Sequence, residues 1–274
     1  MKTNLKHQNP FGLITYPEDI RSSLSATGFA RFDGNRFHIG EDARPALGAL
    51  IESFDDLPAD ADDPSGLRYR RYGRFVYLPW ADSLSEIPAV SSPEGRPVVE
   101  YFQPISLNST DGGKRRPFTP LHPAIQRNMV LNELIRFDYW SLPVPESWSG
   151  LPVLVGVHQI RLSPECNRPS VATPDHLHRD GEPFTYVHLM HRENVTGGLS
   201  YVANPECAGT HPDHVGDGNI LSTFTLENPL DSFVVDDCRV SHHVGEVSKV
   251  ANAAGKAERS VLLVDFTPMM PQFV

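Results

Sequence analysis

The pattern of hydrophobic and polar positions changes near residue 150 of the chain. Before that point, apolar residues recur at helical spacing in segments 18–27, 43–54 and 123–140. Gly28 lies just after the first of these segments and suits a helix end, while Pro123 suits the first turn of the third. The pattern therefore predicts three helices in the first half of the chain.

Short strand-like segments occur in both halves but dominate the second, where glycine and proline separate them. Many short strands joined by such turns are typical of a sandwich, a jelly roll or a barrel. The sequence predicts a mainly β fold with flanking helices, in which residues 1–150 supply α/β elements that pack on a core of residues 151–274, the whole forming one structural unit. The predicted strands are 29–32, 69–78, 98–107, 153–162, 184–191, 199–203, 232–235, 241–244 and 259–266.

Composition narrows the function classes. The 25 prolines in 274 residues exceed the usual share of about 5% and disfavour a helical bundle. The net charge of −10 makes nucleic acid an unfavourable partner, since the only dense basic runs are short, at 68–71 and 114–116. No segment has the length of a signal peptide core or a membrane helix, so a cytoplasmic protein without membrane contact is expected.

The histidines are clustered in a way that suggests metal chemistry. His178 and Asp180 are two residues apart, so in an extended segment both side chains project to one face. A third ligand from a distant strand, His242 or His243, would complete a set of two histidines and one carboxylate. That set leaves coordination positions open and is diagnostic of non-haem Fe(II) oxygenases. A pair formed by His176 and His178 is an alternative that would suit a cupin-type metal site.

Arg259 opens a strongly apolar strand near the end of the chain. A guanidinium at that place can hold a dicarboxylate cosubstrate through two parallel hydrogen bonds.

Several longer motifs extend the metal signature. The sequence resembles the bacterial 2-oxoglutarate/Fe(II) dioxygenase family that contains the L-isoleucine hydroxylases. The likeness covers roughly residues 65–266 and is densest over 157–200. Its motifs are His178-Arg179-Asp180-Gly181, the segment 188–200 with Arg192, Asn194, Gly197 and Gly198, the segment 157–161, and the stretch from Tyr101 through Gln103, Asn108, Gly112 and Arg116 to Phe118.

The resemblance implies a double-stranded β-helix, a relative of the jelly roll and cupin folds. It implies Fe(II) held by His178, Asp180 and His242, and Arg259 bound to the far carboxylate of 2-oxoglutarate. With oxygen as the other cosubstrate and ascorbate as a supporting reductant, such an enzyme hydroxylates an unactivated C–H bond of a free L-amino acid and releases succinate and carbon dioxide. Isoleucine, leucine, proline and pipecolate all fit, and a homodimer is left open.

Substrate contacts are expected among polar residues near these motifs, because a zwitterion needs a cation for its carboxylate and an acceptor for its ammonium. The candidates are Gln159, Arg161, His188, Arg192 and Asn194. Two other functions compete with the hydroxylase: a cupin-type metalloenzyme independent of 2-oxoglutarate, and a non-catalytic barrel that binds a small ligand.

Overall fold

The computed structural model describes residues 17–105, 112–172 and 175–270. The N-terminal segment 1–16, the end of the strand predicted at 98–107 and the motif residue Asn108 lie outside the described residues.

The helices follow the predicted pattern with one break. Asn128 has an extended backbone, and its side-chain oxygen accepts hydrogen bonds from the amides of Val130 (2.9 Å) and Leu131 (3.1 Å). Such a residue caps a new helix, so the single helix predicted over 123–140 is two helices. The α-helices in the described part of the chain are α1 (Pro17–Thr27), α2 (Arg44–Glu52), α3 (Pro123–Gln126) and α4 (Met129–Ser141).

The strands agree closely with the predicted segments and include several short ones that the pattern did not show. They are β1 (Phe29–Phe32), β2 (Arg68–Leu78), β3 (Ser83–Ile87), β4 (Val90–Ser91), β5 (Pro97–Phe102), β6 (Arg115–Phe118), β7 (Val153–Leu162), β8 (Phe184–Glu193), β9 (Val195–Gly197), β10 (Ser200–Ala203), β11 (Ile220–Phe224), β12 (Ser232–Asp236), β13 (Ser241–Val244), β14 (Val247–Lys249) and β15 (Glu258–Pro268).

One large antiparallel sheet organises the molecule, with strand order β1-β12-β8-β15-β7-β2-β3. Its central strands β7, β8 and β15 come from the second half of the chain, and its edge strands come from the first half. Three smaller sheets are also antiparallel: β11-β10-β13, β14-β9 and β4-β5-β6.

The two faces of the large sheet have different neighbours. Alternate residues of β15 illustrate this, since Leu262 and Val264 pack with the helices while Val261 packs against Val202 and Phe224 of the smaller β11-β10-β13 sheet. Strands alternate their side chains between faces, so the large sheet has one face towards the helices and one towards a second sheet. Within the described ranges, no helix is long and apolar enough to cross a membrane.

Candidate metal centre

The backbone brings the two histidines of the predicted metal set side by side. His178 lies in the segment before β8 and His242 lies on β13, and their main chains exchange two hydrogen bonds of 2.9 and 3.0 Å. Asp237 holds the next turn, because its carboxylate accepts hydrogen bonds from the amides of Asp180 and Gly181, both at 2.8 Å. Local hydrogen bonding therefore fixes all three ligand candidates relative to one another.

The side chains of His178, Asp180 and His242 converge, with ligand atoms within 4.8 Å of one another. Nε2 of His242 lies 3.2 Å from one carboxylate oxygen of Asp180, and Nε2 of His178 lies 3.7 Å from the other. Nδ1 of His178 faces the carbonyl of His176 at 3.2 Å, which directs its Nε2 towards the cluster.

Charge and burial prepare these groups for a cation. Burial, and then the neighbouring His242 ring, lowers the pKa of His178 to about 4. Burial alone would raise the pKa of Asp180, but the two histidine rings and Gln103 reverse this and lower it. The Nε2 atom of His242 is buried and faces the Asp180 carboxylate. Two imidazoles and an ionised carboxylate whose ligand atoms converge fit a divalent metal such as Fe(II).

The structure also separates the alternatives that the sequence left open. His242 pairs with Val202 across β10 and β13, whereas His243 pairs with Tyr201 and its ring lies 5.9 Å from the tyrosine ring. Neighbouring residues of a strand face opposite ways, so His242 is the one that reaches the cluster. The ring of His176 lies outside the cluster, with Nδ1 3.3 Å from a carboxylate oxygen of Asp175.

A cavity of about 940 Å³, including the open space at its mouth, adjoins the three residues. Its floor includes the inward residues of β15, which are Arg259, Val261, Leu263 and Asp265. Asp265 lies six positions after Arg259 along the strand, a length of about 20 Å. The cavity therefore has a cationic end at Arg259 and an acidic end at Asp265, with apolar side chains between them.

The cationic end consists of a buried arginine. Arg259 is 2% exposed, and it has no ion pair within the described part of the chain. Burial, and then repulsion from Arg192, lowers the pKa of its guanidinium to about 10, so the group stays charged at neutral pH. The hydroxyl of Ser200 also lines the cavity, and it is buried with no hydrogen-bond partner in the described part of the chain. A buried guanidinium without an ion pair is suited to a carboxylate.

The other end contains charged residues that the sequence analysis missed as site residues. Arg70 donates hydrogen bonds to Nδ1 of His158, and Tyr101 donates to Glu182 at 3.1 Å. Burial raises the pKa of Asp265 to about 7 and, with the nearby Arg70, places the pKa of His158 well below its usual value. In the sequence, Arg70 belongs to the basic run 68–71. Its position on the predicted strand 69–78 is a weak signal that its side chain could face inward.

Comparison with known proteins identifies the family. Residues 51–265 match the model of the 2OG-Fe dioxygenase family. The chain belongs to this family. It is thus a 2-oxoglutarate-dependent non-haem iron dioxygenase, as the sequence motifs predicted.

Three known proteins are similar to this dioxygenase over most of their length. L-isoleucine-4-hydroxylase of Bacillus thuringiensis is 29% identical over 75% of this chain and 78% of the relative. The 3(1)-hydroxy-L-isoleucine 4-dioxygenase of Pantoea ananatis (strain AJ13355) is 26% identical over 90% of this chain and 95% of the relative. The crystal structure of IDO from Bacillus thuringiensis is 22% identical, with a TM-score of 0.71 over 94% of this chain and 97% of that one. The structural likeness confirms the predicted double-stranded β-helix.

The structure places two of the five substrate candidates of this dioxygenase on the outward face of β7. The side chain of Gln159 donates to Ser53 at 2.7 Å, and Arg161 donates to the carbonyls of Phe54 and Asp55. Their neighbours His158 and Ile160 line the cavity instead. The candidates therefore lie on a strand that borders the cavity, but on the face of that strand that points away from it.

The other three candidates also make contacts away from the cavity. His188 is fully buried between Asp138 and Ser232. Arg192 donates to the carbonyl of Gly197 and pairs with Glu227 at 3.5 Å. Asn194 holds the loop before β15 through the carbonyls of Ala254 and Lys256. None of the five lines the cavity among the described residues.

Proposed function

We propose that this dioxygenase hydroxylates an unactivated C–H bond of a free aliphatic or cyclic L-amino acid, with release of succinate and carbon dioxide. His178, Asp180 and His242 would bind the iron, and Arg259 would bind 2-oxoglutarate. The convergence of those three side chains at the wall of one cavity carries the proposal. The two amino-acid-modifying relatives support the substrate class.

Bound Fe(II) supplies the activation of oxygen that amino-acid side chains cannot perform. The chain's own part is to bring the three ligands together and to leave coordination positions open. Asp237 contributes by fixing the main chain of Asp180 and Gly181. Such supporting contacts keep a ligand in position when the metal enters.

At the cationic end, Arg259 would bind the distal carboxylate of 2-oxoglutarate, with the hydroxyl of Ser200 as a second donor. Gly198 permits this arrangement, because a Cβ there would lie 3.3 Å from the side chain of Arg259. A fixed guanidinium at one end and a metal cluster on the wall would together orient a short dicarboxylate, which lowers the entropy cost of reaction.

The middle of the cavity supports an aliphatic or cyclic side chain as the reacting group. Its walls there are apolar and come from the large sheet: Ile160, Val187, Phe233, Val261 and Leu263. A hydrocarbon side chain binds such walls because transfer of apolar surface out of water is favourable. The apolar walls would also exclude solvent from the reacting carbon.

The test combines turnover with a matched pair of variants. Purified protein with Fe(II), 2-oxoglutarate, ascorbate and air is incubated with pools of aliphatic and cyclic L-amino acids, and mass spectrometry follows succinate and any amino acid that gains one oxygen. The wild type should form succinate and the hydroxylated amino acid in equal amounts. His176→Ala should do the same, because its ring lies outside the cluster. His178→Ala should form neither.

Two results would count against the proposal. Succinate without a hydroxylated amino acid from any pool would leave the family assignment intact and remove the amino-acid substrate. Full activity of His178→Ala would remove the proposed metal site.

A further inference from the structure

The end of the cavity farthest from Arg259 contains an arginine and two carboxyl groups that form no complementary ion pairs with the described residues. Arg70 has no carboxylate at ion-pair distance, and neither Glu182 nor Asp265 has an arginine or lysine partner, within the described residues. All three line the cavity that adjoins the metal cluster. Burying unpaired charges costs free energy, so such a set indicates a ligand that brings the missing partners.

Arg70 is positioned as an anion-binding group. Its guanidinium lies 4.5 Å from the centre of the Phe118 ring and 5.9 Å from that of Tyr101. It donates from Nε and Nη2 to Nδ1 of His158, which leaves the N–H groups of Nη1 for a further acceptor. A stacked, oriented guanidinium loses little side-chain entropy when a carboxylate binds.

Glu182 and Asp265 are positioned as acceptors. Glu182 accepts a hydrogen bond from Tyr101 on Oε1, while Oε2 is buried without a hydrogen-bond partner among the described residues. Asp265 accepts from the amide of Gly156 on Oδ1, at 3.2 Å. One oxygen of each carboxylate thus lacks a strong donor, as an incoming ammonium group with three N–H bonds requires.

His158 fixes the spacing between the cation and the acids. Because Arg70 donates to Nδ1, the ring proton resides on Nε2, which lies 3.6 Å from Oδ2 of Asp265. The ring is stacked on Tyr72 with centroids 4.1 Å apart. Arg70 and Asp265 are therefore held on opposite sides of one rigid imidazole.

We infer that this end of the cavity is a subsite for an α-amino acid zwitterion, in which Arg70 binds the substrate carboxylate and Glu182 with Asp265 bind its ammonium. The inference rests on the proposed function and deepens it, because both ends of the substrate must be free. A carrier-bound aminoacyl thioester lacks the carboxylate, and an N-acylated amino acid lacks the ammonium. Each would leave a buried charge of the subsite unpaired, which rejects such analogues strongly.

The first experiment probes the carboxylate contact. Binding of L-isoleucine and of L-isoleucinamide is measured by calorimetry on full-length protein loaded with Mn(II) and 2-oxoglutarate without oxygen. The wild type should bind the amide at least about 100-fold more weakly than the acid, as expected for a lost buried charge pair. Arg70→Ala should weaken binding of the acid and leave binding of the amide nearly unchanged. The ratio of the two affinities should then fall below about 10-fold.

Two further variants guard this test against misfolding. Arg70→Lys keeps the positive charge and should recover part of the preference for the acid. Arg71→Lys is the matched control, because Arg71 is the next residue of β2 and its guanidinium donates to the carbonyl of Pro120 on the outer face. That control should keep the wild-type ratio.

The second experiment probes the ammonium contact in the same way. Binding of L-isoleucine is compared with binding of N-acetyl-L-isoleucine, in the wild type and in the variants Asp265→Asn and Glu182→Gln. Each variant should reduce the preference for the free amine over the N-acetyl form by at least about tenfold, with kcat/KM values following the binding ratios.

The outcomes separate this inference from the proposed function. If the wild type hydroxylates free L-isoleucine yet Arg70→Ala weakens acid and amide equally, the subsite is wrong and the function stands. If the wild type binds acid, amide and N-acetyl forms equally, the zwitterion subsite is likewise overturned. Oxidation of an N-acylated or thioester-linked amino acid in place of the free one would overturn both.

Discussion

Two clusters of histidine and aspartate in this protein have nearly the same composition and different chemistry. In the metal cluster, His178, Asp180 and His242 border a cavity, and their ligand atoms converge within 4.8 Å of one another. In the core cluster, His188 lies between Asp138 at 2.9 Å and Ser232 at 2.7 Å, and all three are fully buried.

The two clusters differ in whether protein groups already occupy both ring nitrogens of the histidine. Both ring nitrogens of His188 have protein partners, so this imidazole stabilises the contact between α4, β8 and β12 and has no capacity for a ligand. The metal cluster has two imidazoles and a carboxylate directed at one point that no protein donor fills. Residue types alone therefore do not define a metal site. A metal site also needs ligand atoms that converge on a point that no protein group occupies.

Removing one ligand from the metal cluster gives the largest expected effect. His178→Ala should lower the affinity for Co(II), a spectroscopic substitute for Fe(II), by more than the roughly 10–100-fold that loss of a supporting residue costs. The free energy of unfolding without metal should change little. Titration of the Co(II) absorption bands measures the first quantity, and tight binding by the variant would break the comparison.

Removing the histidine of the core cluster should do the reverse. His188→Ala leaves the Asp138 carboxyl buried without its partner, which is expected to cost about 3–5 kcal/mol. Urea denaturation measures this loss, while Co(II) binding by the folded variant at low temperature should match the wild type. Loss of metal affinity from the folded variant would contradict the separation of the two clusters.

The acidic end of the cavity offers a stability test with a defined pH dependence. Burial raises the pKa of Asp265 to about 7, above the ordinary value of about 3.9. The unfolded chain releases this proton first as the pH rises, so the group lowers the stability progressively between the two pKa values and fully above the higher one. Asp265→Asn should therefore stabilise the metal-free protein by about 2–4 kcal/mol at pH 8.

The same variant should show almost no stabilisation below about pH 4. Denaturation curves at both pH values provide the measurement. Equal stability of variant and wild type at pH 8 would mean that the acidic end carries no buried charge.

The smallest expected effect comes from the helix that carries Asp138. Asn128→Ala removes the N-cap of α4 and should cost about 1 kcal/mol, without a change in Co(II) affinity. Thermal unfolding measures the loss. A lowered metal affinity would show that α4 supports the metal cluster as well as the core cluster.

Periodicity predicted the secondary structure well where the pattern was strong. The strand expected at 153–162 is β7, and the strand expected at 241–244 is β13. The helix expected over 123–140 is broken at Asn128 because a side-chain cap competes with helix continuation, which spacing alone does not show. The short strands β4, β9 and β14 contain only two or three residues, too few to produce a readable alternation.

Substrate residues were harder to predict than metal ligand candidates. His188 was a candidate for substrate contact, but its face of β8, shared with Tyr186 and Met190, packs on the helices, and Thr185 and Val187 face the cavity. The alternation of a strand does not show which of its two faces tertiary packing will turn towards the cavity. On β7, likewise, the candidates Gln159 and Arg161 alternate with His158 and Ile160, which line the cavity.

The sequence by itself determined the family, the mainly β fold and the His178–Asp180 spacing, because spacing along an extended chain fixes which side chains share a face. Tertiary structure alone decided that His242 and not His243 joins them, that Arg70 faces Asp265 across His158, and that His188 is sealed in the core. Those relations join residues far apart in the chain, and only the pairing and packing of the sheets sets their distances.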